Sequence, residues 1–297
     1  MIVPLSLGFS ADFVTCREML FSQYAQNWFL SFGRIPSALF SFDVRVRNTI
    51  HLGYRASRTA QACYTTRLHR WFDIERPNLF QLVRFARFSS AAWDGRVPKA
   101  DSTSLVSAIE LLSTTCKTVA QEFSVGLQEN ALHYRSTAYN WLNFCYVQPP
   151  CLDKSGNEIG QSQFSTQGFN SAAVRDTLFL LLNGKLGFLY WCIVGDDFHV
   201  AKWMFSQIPT CLSALSSEDK ARLNGIVPIL WEAMQRATVF KANAGKLVGN
   251  YNVAKCRDIT DKSDQIFAKS MGLESIWEEV ELLYSRMVRT DFEGDEE

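Results

Sequence analysis

The chain is 297 residues long, 47% hydrophobic and 20% charged, and its 30 basic and 30 acidic residues cancel to a net charge of zero. That composition gives room for one large globular domain or two of moderate size, and it excludes a membrane span, because the longest apolar stretch, Leu178 to Val194, is interrupted by Asn183, Gly184 and Lys185. Eight cysteines stand singly without a CxxC pair, which excludes a zinc ribbon and a secreted disulfide framework, so reduced thiols and a cytoplasmic location are expected.

The opening MIVPLSLGFSADF has neither a basic leader nor a small-residue cleavage signal. Within it, Ile2 to Phe9 is compatible with a buried strand, and the cap signals Ser10 and Asp12 start a helical pattern through Phe13, Cys16, Leu20, Phe21 and Tyr24. Trp28 to Leu30 reads as the next strand. Val44 to Gly53 and Ala62 to Trp71 are β-rich and separated by a polar turn, the pattern of a hairpin with a long loop. Pro77 breaks the chain and helical spacing runs on to Phe88. Asp101 to Phe123 reads as an amphipathic helix with Leu105, Ile109, Leu112 and Val119 on one side. An aromatic strand, a Pro-Pro turn and a Gly/Ser/Gln-rich loop occupy Thr137 to Phe169. Thr177 to Val194 is strongly apolar, and Asp219 to Lys241 and Leu273 to Val288 read as helices. A domain boundary is expected between Phe85 and Gln128.

Charge is unevenly spread. From Arg34 to Lys99 twelve basic residues, eleven of them Arg, stand against four acids, a net of +8; from Arg257 to Glu297 five basic residues stand against twelve acids, a net of −7. A concentrated basic stretch can steer a phosphate backbone even in a neutral chain. Arg34, Arg45, Arg47, Arg55, Arg67 and Arg70 are therefore candidates for contact with double-stranded DNA, Arg45 and Arg47 sharing a face if they alternate along a strand. Guanidinium groups pair bidentately with phosphates and guanine edges, and most such contacts position a protein rather than read sequence. A plain solvated face is the alternative.

Four stretches carry a resemblance when taken in order: Ile2 to Phe9 with the helix after it; Gly33 to Phe40 followed by the segment from Arg45 to Gly53; Tyr64 to Trp71; and Leu181 to Val200. The late segment Asn250 to Asp264 adds to them. Together they resemble the C-terminal half of adenine-N6 DNA methyltransferases of restriction-modification systems, of the type II kind that fuses methyltransferase and target-recognition parts. The resemblance implies a fold that is α/β and α+β, with 1–85 as the back end of a Rossmann-like methyltransferase domain and 86–297 as a mixed α+β target-recognition domain. It also implies that the S-adenosylmethionine loop and the Asn-Pro-Pro-Tyr-type motif belong to a separate N-terminal half. This chain would then hold no cofactor, no metal and no catalytic residue, and would be inactive alone.

Methylating adenine within a duplex requires swinging the base out of the stack. The resemblance implies that the turn at Phe32, Pro36, Ser37 and Phe40, with Arg34, rims the pocket that receives it. Base readout is expected from the polar loop Lys154 to Gln167, through Asn157, Gln161, Gln163 and Gln167, because amides pair with adenine edges; a flexible surface loop is the alternative there. Gln148-Pro149-Pro150-Cys151 shares two prolines with the catalytic tetrapeptide but lacks its first amide and its aromatic, and reads as a loop. Asn243 to Gly249 lacks phosphate-loop spacing and reads as a turn. Asp197 is expected to cap a helix starting at Phe198. His51, His69, His133 and His199 have no metal-ligand spacing. The function expected is sequence-specific DNA binding as part of such an enzyme. The alternatives are a stand-alone DNA-binding specificity protein without catalysis and a helical protein-interaction module.

Overall fold

The structure, a computed structural model, describes residues 1–40, 46–56, 61–125 and 130–289. Its elements in chain order are β1 (Ile2–Pro4), α1 (Val14–Gln23), β2 (Gln26–Phe32), β3 (Asn48–Tyr54), β4 (Ala62–His69), β5 (Ala86–Phe88), α2 (Thr103–Thr115), β6 (Ala131–Arg135), β7 (Phe144–Cys145), β8 (Cys151–Leu152), β9 (Phe164–Gly168), α3 (Ala172–Asn183), α4 (Lys185–Val194), α5 (Lys202–Phe205), α6 (Ser217–Arg236), β10 (Thr238–Asn243), β11 (Lys246–Tyr251), α7 (Arg257–Ser270) and α8 (Trp277–Met287). The fold is mixed α+β with parallel and antiparallel strand pairs. It divides into two units: Met1–Thr114 with Cys192–Asp197 and Ile276–Glu297, and Thr115–Trp191 with Phe198–Ser275.

The first unit is built on a five-stranded sheet of order β1-β3-β2-β4-β5. β3 is antiparallel to both β1 and β2, which makes those two parallel, and β4 is parallel to β2. The connection β1-α1-β2 lays α1 on one face, where Phe21 meets Phe29 and Phe88 edge-on at 5.9 and 6.5 Å. On the other face Leu30, Phe32, Trp71 and Leu79 form a small core beneath the 3₁₀ segment Asp73–Leu82. Central strand β2 is thus covered on both sides near its end, which explains its unbroken apolar run from Trp28 to Leu30. Ser10 accepts from the Asp12 amide at 3.3 Å and starts the turn leading into α1. Buried Arg17 on α1 donates to the carbonyls of Leu7, Ser10 and Gly95 and so holds the β1-α1 connection. In α2, capped by Ser102 on the Leu105 amide, Leu105, Val106, Ile109 and Leu112 are buried.

The second unit contains two antiparallel three-stranded sheets, β7-β6-β9 and β10-β11-β8, packed with α3, α6 and α7. The apolar run beginning in α3 breaks at Gly184, where a Cβ would lie 2.3 Å from Asp264 Oδ1. Asp264 instead accepts from the Lys185 amide at 2.8 Å and caps α4. The two helices meet at 67°, and no single helix among the described residues is long and apolar enough to cross a membrane. Ala244 and Gly245, both at positive φ, form the tight turn of the β10-β11 hairpin.

Several expectations are corrected. The run from Ile2 yields only a three-residue edge strand, because the chain turns into a 3₁₀ segment at Leu5. The segments read as a hairpin, β3 and β4, do not pair; β2 lies between them. The helical spacing after Pro77 ends at Leu82 and gives way to β5. Helix α2 stops at Thr115, and Val119 lies in a separate 3₁₀ turn. Helix α6 stops at Arg236, since the β-branched pair Thr238 and Val239 begins a strand that pairs along its length with β11. The thiols are not all free: Cys116 and Cys211, 95 residues apart, form a disulfide beside the strand bridge between Thr118 and Pro209. Such a pairing leaves no spacing signal in the sequence.

Candidate functional site

Strands β1, β2 and β4 run in one direction, so their carboxyl ends lie at one edge of the sheet. At that edge Pro4, Asn48, Phe32 and His69 stand in one register row. Beyond the row, the turn from Gly33 to Phe40 is tied to the exit of β4 by the Gly33 amide on the His69 carbonyl at 2.9 Å and the Ser37 amide on the Trp71 carbonyl at 3.1 Å. A Cβ at Gly33 would lie 3.3 Å from Asp197 Oδ2, so that the carboxylate would have to shift slightly, and in ordinary contact at 3.5 Å with Arg70 Cγ. The Leu5 amide donates to the Arg47 carbonyl at 2.9 Å and joins the exit of β1 to the entry of β3. The edge of the sheet therefore gathers segments that are separate in sequence, from residues 4–5, 32–40, 47–48 and 69–71.

The arginines at this rim are unequal. Arg70 and Asp197 form a buried pair at 2.5 Å, with side chains 0% and 1% exposed, and Arg70 also donates to the Met287 carbonyl at 2.6 Å. Burial pushes the Asp197 carboxyl up while the Arg70 guanidinium pulls it back down. Arg67 is buried against Asp101 at 3.4 Å, and desolvation lowers its pKa to about 10 against the opposing pull of that carboxylate. Arg67 and Arg70 consequently present no guanidinium to solvent, and the phosphate contacts expected of them are withdrawn. Asp197 caps no helix; it sits at φ 67° and serves Arg70. Arg47 bridges to Asp196 at 3.3 Å and precedes the first ladder residue of β3, so it does not alternate along the strand. Arg45 lies outside the described residues. Arg34 is half-buried in the turn after β2. Arg55 is exposed over the Tyr24 ring, but at the far end of β3, about 25 Å of extended chain from Arg47.

Of the aromatic rim, Phe32 is core: it is fully buried and stacks on His69 with centroids 5.3 Å apart. Phe40 is 42% exposed and offers an accessible ring, and Pro36 and Ser37 are half-buried beside it. One residue missed from sequence is Arg76, whose guanidinium donates to the Leu39 and Ala38 carbonyls at 3.0 and 3.2 Å while lying 4.7 Å over the Trp71 ring. Its place after a Trp-Phe-Asp run carries no signal for that role. Asn48 Oδ1, His69 Nε2 and Trp71 Nε1 are buried at the rim without a hydrogen-bond partner among the described residues. Desolvation, then the charges of Arg67 and Arg286, lower the His69 pKa to about 3, so its ring is neutral.

The four amides expected to read bases do not converge. Gln161 donates to the carbonyls of Pro149 and Gly249 at 2.6 and 3.1 Å, Gln163 accepts from Arg135 at 3.0 Å, and Gln167 is buried in β9 on the Gly168 carbonyl. Only Asn157 of the four is exposed, on the tight turn it forms with Asp153. The amides of Gln161 and Gln167 are occupied by backbone carbonyls, which removes them from base readout.

The β1-α1 connection has one glycine, Gly8, where a Cβ would rest in ordinary contact with Val97 at 3.6 Å. Among the described residues no group of three or more His, Cys, Asp or Glu could hold a metal ion. No family model matches this sequence, and no curated protein matches it.

Proposed function

We propose that this chain supplies DNA recognition to a site-specific adenine-N6 DNA methyltransferase of the restriction-modification kind, acting with a separate chain that holds S-adenosylmethionine. The observation that carries the proposal is the convergence at the sheet edge. Two of the four stretches that resemble the family, Gly33 to Phe40 with the Arg45 to Gly53 segment after it, whose described part enters β3 at Asn48, and Tyr64 to Trp71, meet at the carboxyl ends of β2 and β4, beside the exit of β1. The buried polar atoms of Asn48, His69 and Trp71 at this edge have no hydrogen-bond partner among the described residues, and leaving such groups unpaired is costly.

On this reading Arg70, Asp197 and Arg76 are positioning residues that fix the turn, and the turn presents Arg34 to a phosphate and the Phe40 ring to the extruded adenine. Stacking on a side chain is worth about 1–3 kcal/mol per base. Chemistry at the adenine amino group belongs to the partner chain.

The test is fluorescence anisotropy of the full chain on duplex DNA across a salt series. Arg34→Ala is expected to reduce the slope of log affinity against log salt by about 0.9, the contribution of one phosphate. Arg55→Ala, at the opposite end of β3, leaves that slope unchanged. Phe40→Ala weakens binding to a duplex with a mismatched, easily extruded adenine about tenfold and leaves the slope intact. A chain that does not bind DNA at low salt, or whose binding ignores Arg34 and Phe40, overturns the proposal.

A further inference from the structure

From Arg236 to Arg257 the chain carries five basic residues and no acid, and this stretch builds the β10-β11 hairpin of the second unit. Unlike Arg67 and Arg70, four of these cations, Arg236, Lys241, Lys246 and Lys255, are exposed. The strands pair at six positions, from Thr238 opposite Tyr251 to Asn243 opposite Lys246, which makes a ribbon about 20 Å long. Residues opposite each other share a face, so Lys241, Asn243 and Lys246 lie on one side and Phe240, Ala242 and Leu247 on the other. Lys255 follows the ladder at the base, where the Asn252 amide donates to the Ala237 carbonyl at 2.9 Å, and Arg236 is answered there by Glu232 at 3.0 Å. Lysines thus stand at the base, the middle and the tip, and every residue from Phe240 to Leu247 is exposed. The neighbouring tip adds Lys154, whose side chain lies against Gly245, while Asp153 beside it is occupied by the amides of Ser155 and Asn157 at 2.8 and 2.9 Å.

The ribbon is braced from its β11 side. The Gly249 amide donates to the Pro150 carbonyl at 2.9 Å, Gln161 donates to the Gly249 carbonyl at 3.1 Å, and Leu247 and Val248 pair with β8. We infer that this hairpin is an arm that binds double-stranded DNA, with Lys241 and Lys246 on phosphates and Asn243 facing the base edges. Charge complementarity sets the class of ligand, since a run of cations without an acid attracts a polyanion. Width sets the form of the duplex: the major groove of B-form DNA admits a two-stranded ribbon, and the deep, narrow groove of A-form RNA does not. A protein partner would need an apolar centre on the lysine face, and the exposed apolar side chains, Phe240 and Leu247, are on the other. The inference shares its ligand with the function proposed above but rests on the charge and width of the ribbon, and the contact is made by other residues than the turn from Gly33 to Phe40.

The experiment is fluorescence anisotropy of the full chain on a mixed-sequence DNA duplex, and on an RNA duplex of the same sequence, across a salt series. Lys241→Gln combined with Lys246→Gln is expected to lower the slope of log affinity against log salt on DNA by about 1.8, two phosphates at about 0.9 each. Lys241→Arg combined with Lys246→Arg keeps the wild-type slope, and so does Lys220→Gln, about 24 Å along α6 from Arg236. On the RNA duplex the Gln pair changes nothing. All of these positions are exposed, and urea midpoints establish that the variants are folded. A DNA slope indifferent to the Gln pair, or an equal fall on RNA, overturns the inference. No DNA binding at low salt, with lysine-dependent binding of polyglutamate, overturns it in favour of an acidic protein partner. Arg34→Ala separates the two proposals: a slope that falls with Arg34→Ala and not with the lysine pair removes the arm alone, and the reverse removes the contact at the sheet edge alone.

Discussion

At the scale of single residues, the decisive fact about the basic segment is where its guanidiniums end. Arg70 is fully buried on Asp197, and breaking a buried pair by removing one partner costs about 3–5 kcal/mol because the other charge is left uncompensated. Arg70→Met should therefore lower the urea midpoint severely, while exposed Arg55→Ala should leave it within about 0.5 kcal/mol of wild type. Three buried titratable groups make opposite pH demands. Burial lowers the His51 pKa to about 4 and that of His69 to about 3. The unfolded chain takes up these protons below about 6.5, so the stability the two rings contribute is present above that pH and is lost as pH falls toward 4. Burial raises the Asp264 pKa to about 7. Its stability is present below the unfolded value of about 3.8 and is lost as pH rises through 7, by at most about 4 kcal/mol. Urea titrations from pH 4.5 to 8 should show Asp264→Asn flattening the loss on the neutral side and His69→Gln flattening the loss on the acid side.

At the scale of elements, signals that act within a few residues were legible and pairing was not. The Ser10 cap before α1, the strand around Trp28 to Leu30 and the apolar stripe of Leu105, Ile109 and Leu112 all depend on neighbours along the chain, whereas of the turn read over Asn243 to Gly249 only Ala244-Gly245 turns and the rest is strand. The supposed hairpin of β3 and β4 failed because both strands prefer β2, a choice made by burial of Leu30 and Phe29 on opposite faces rather than by the intervening turn. Residues after Arg236 keep helical spacing, yet pairing with β11 overrides it. The disulfide is of the same long-range kind. Closing a loop of 95 residues, it should stabilise the second unit by up to about 4.7 kcal/mol on a chain-entropy account. Melting in the presence and absence of dithiothreitol, with Cys116→Ser as the reference, should show a large loss on reduction in wild type and none in the variant.

At the scale of the whole molecule, several arginines of the basic stretch are matched by carboxylates from outside the acidic C-terminal segment. Arg67 and Arg286 share Asp101, Arg289 meets Glu75 at 2.7 Å, and Arg47 and Arg70 are matched to Asp196 and Asp197, all within the first unit. A net of +8 from Arg34 to Lys99 is therefore a poor guide to the number of phosphates contacted, and under the proposed function the salt dependence should report a few phosphates rather than eight. The sequence by itself determined the mixed α and β character and the polar breaks in the apolar run of Leu178 to Val194. Those properties follow from composition and from order along the chain. Only tertiary structure decided that Arg67 and Arg70 are interior, that Phe40 rather than Phe32 offers its ring, and that Gln161 and Gln167 bind backbone. Each depends on which distant carboxylate, carbonyl or helix arrives beside the residue, and burial and pairing across a hundred residues leave no local pattern.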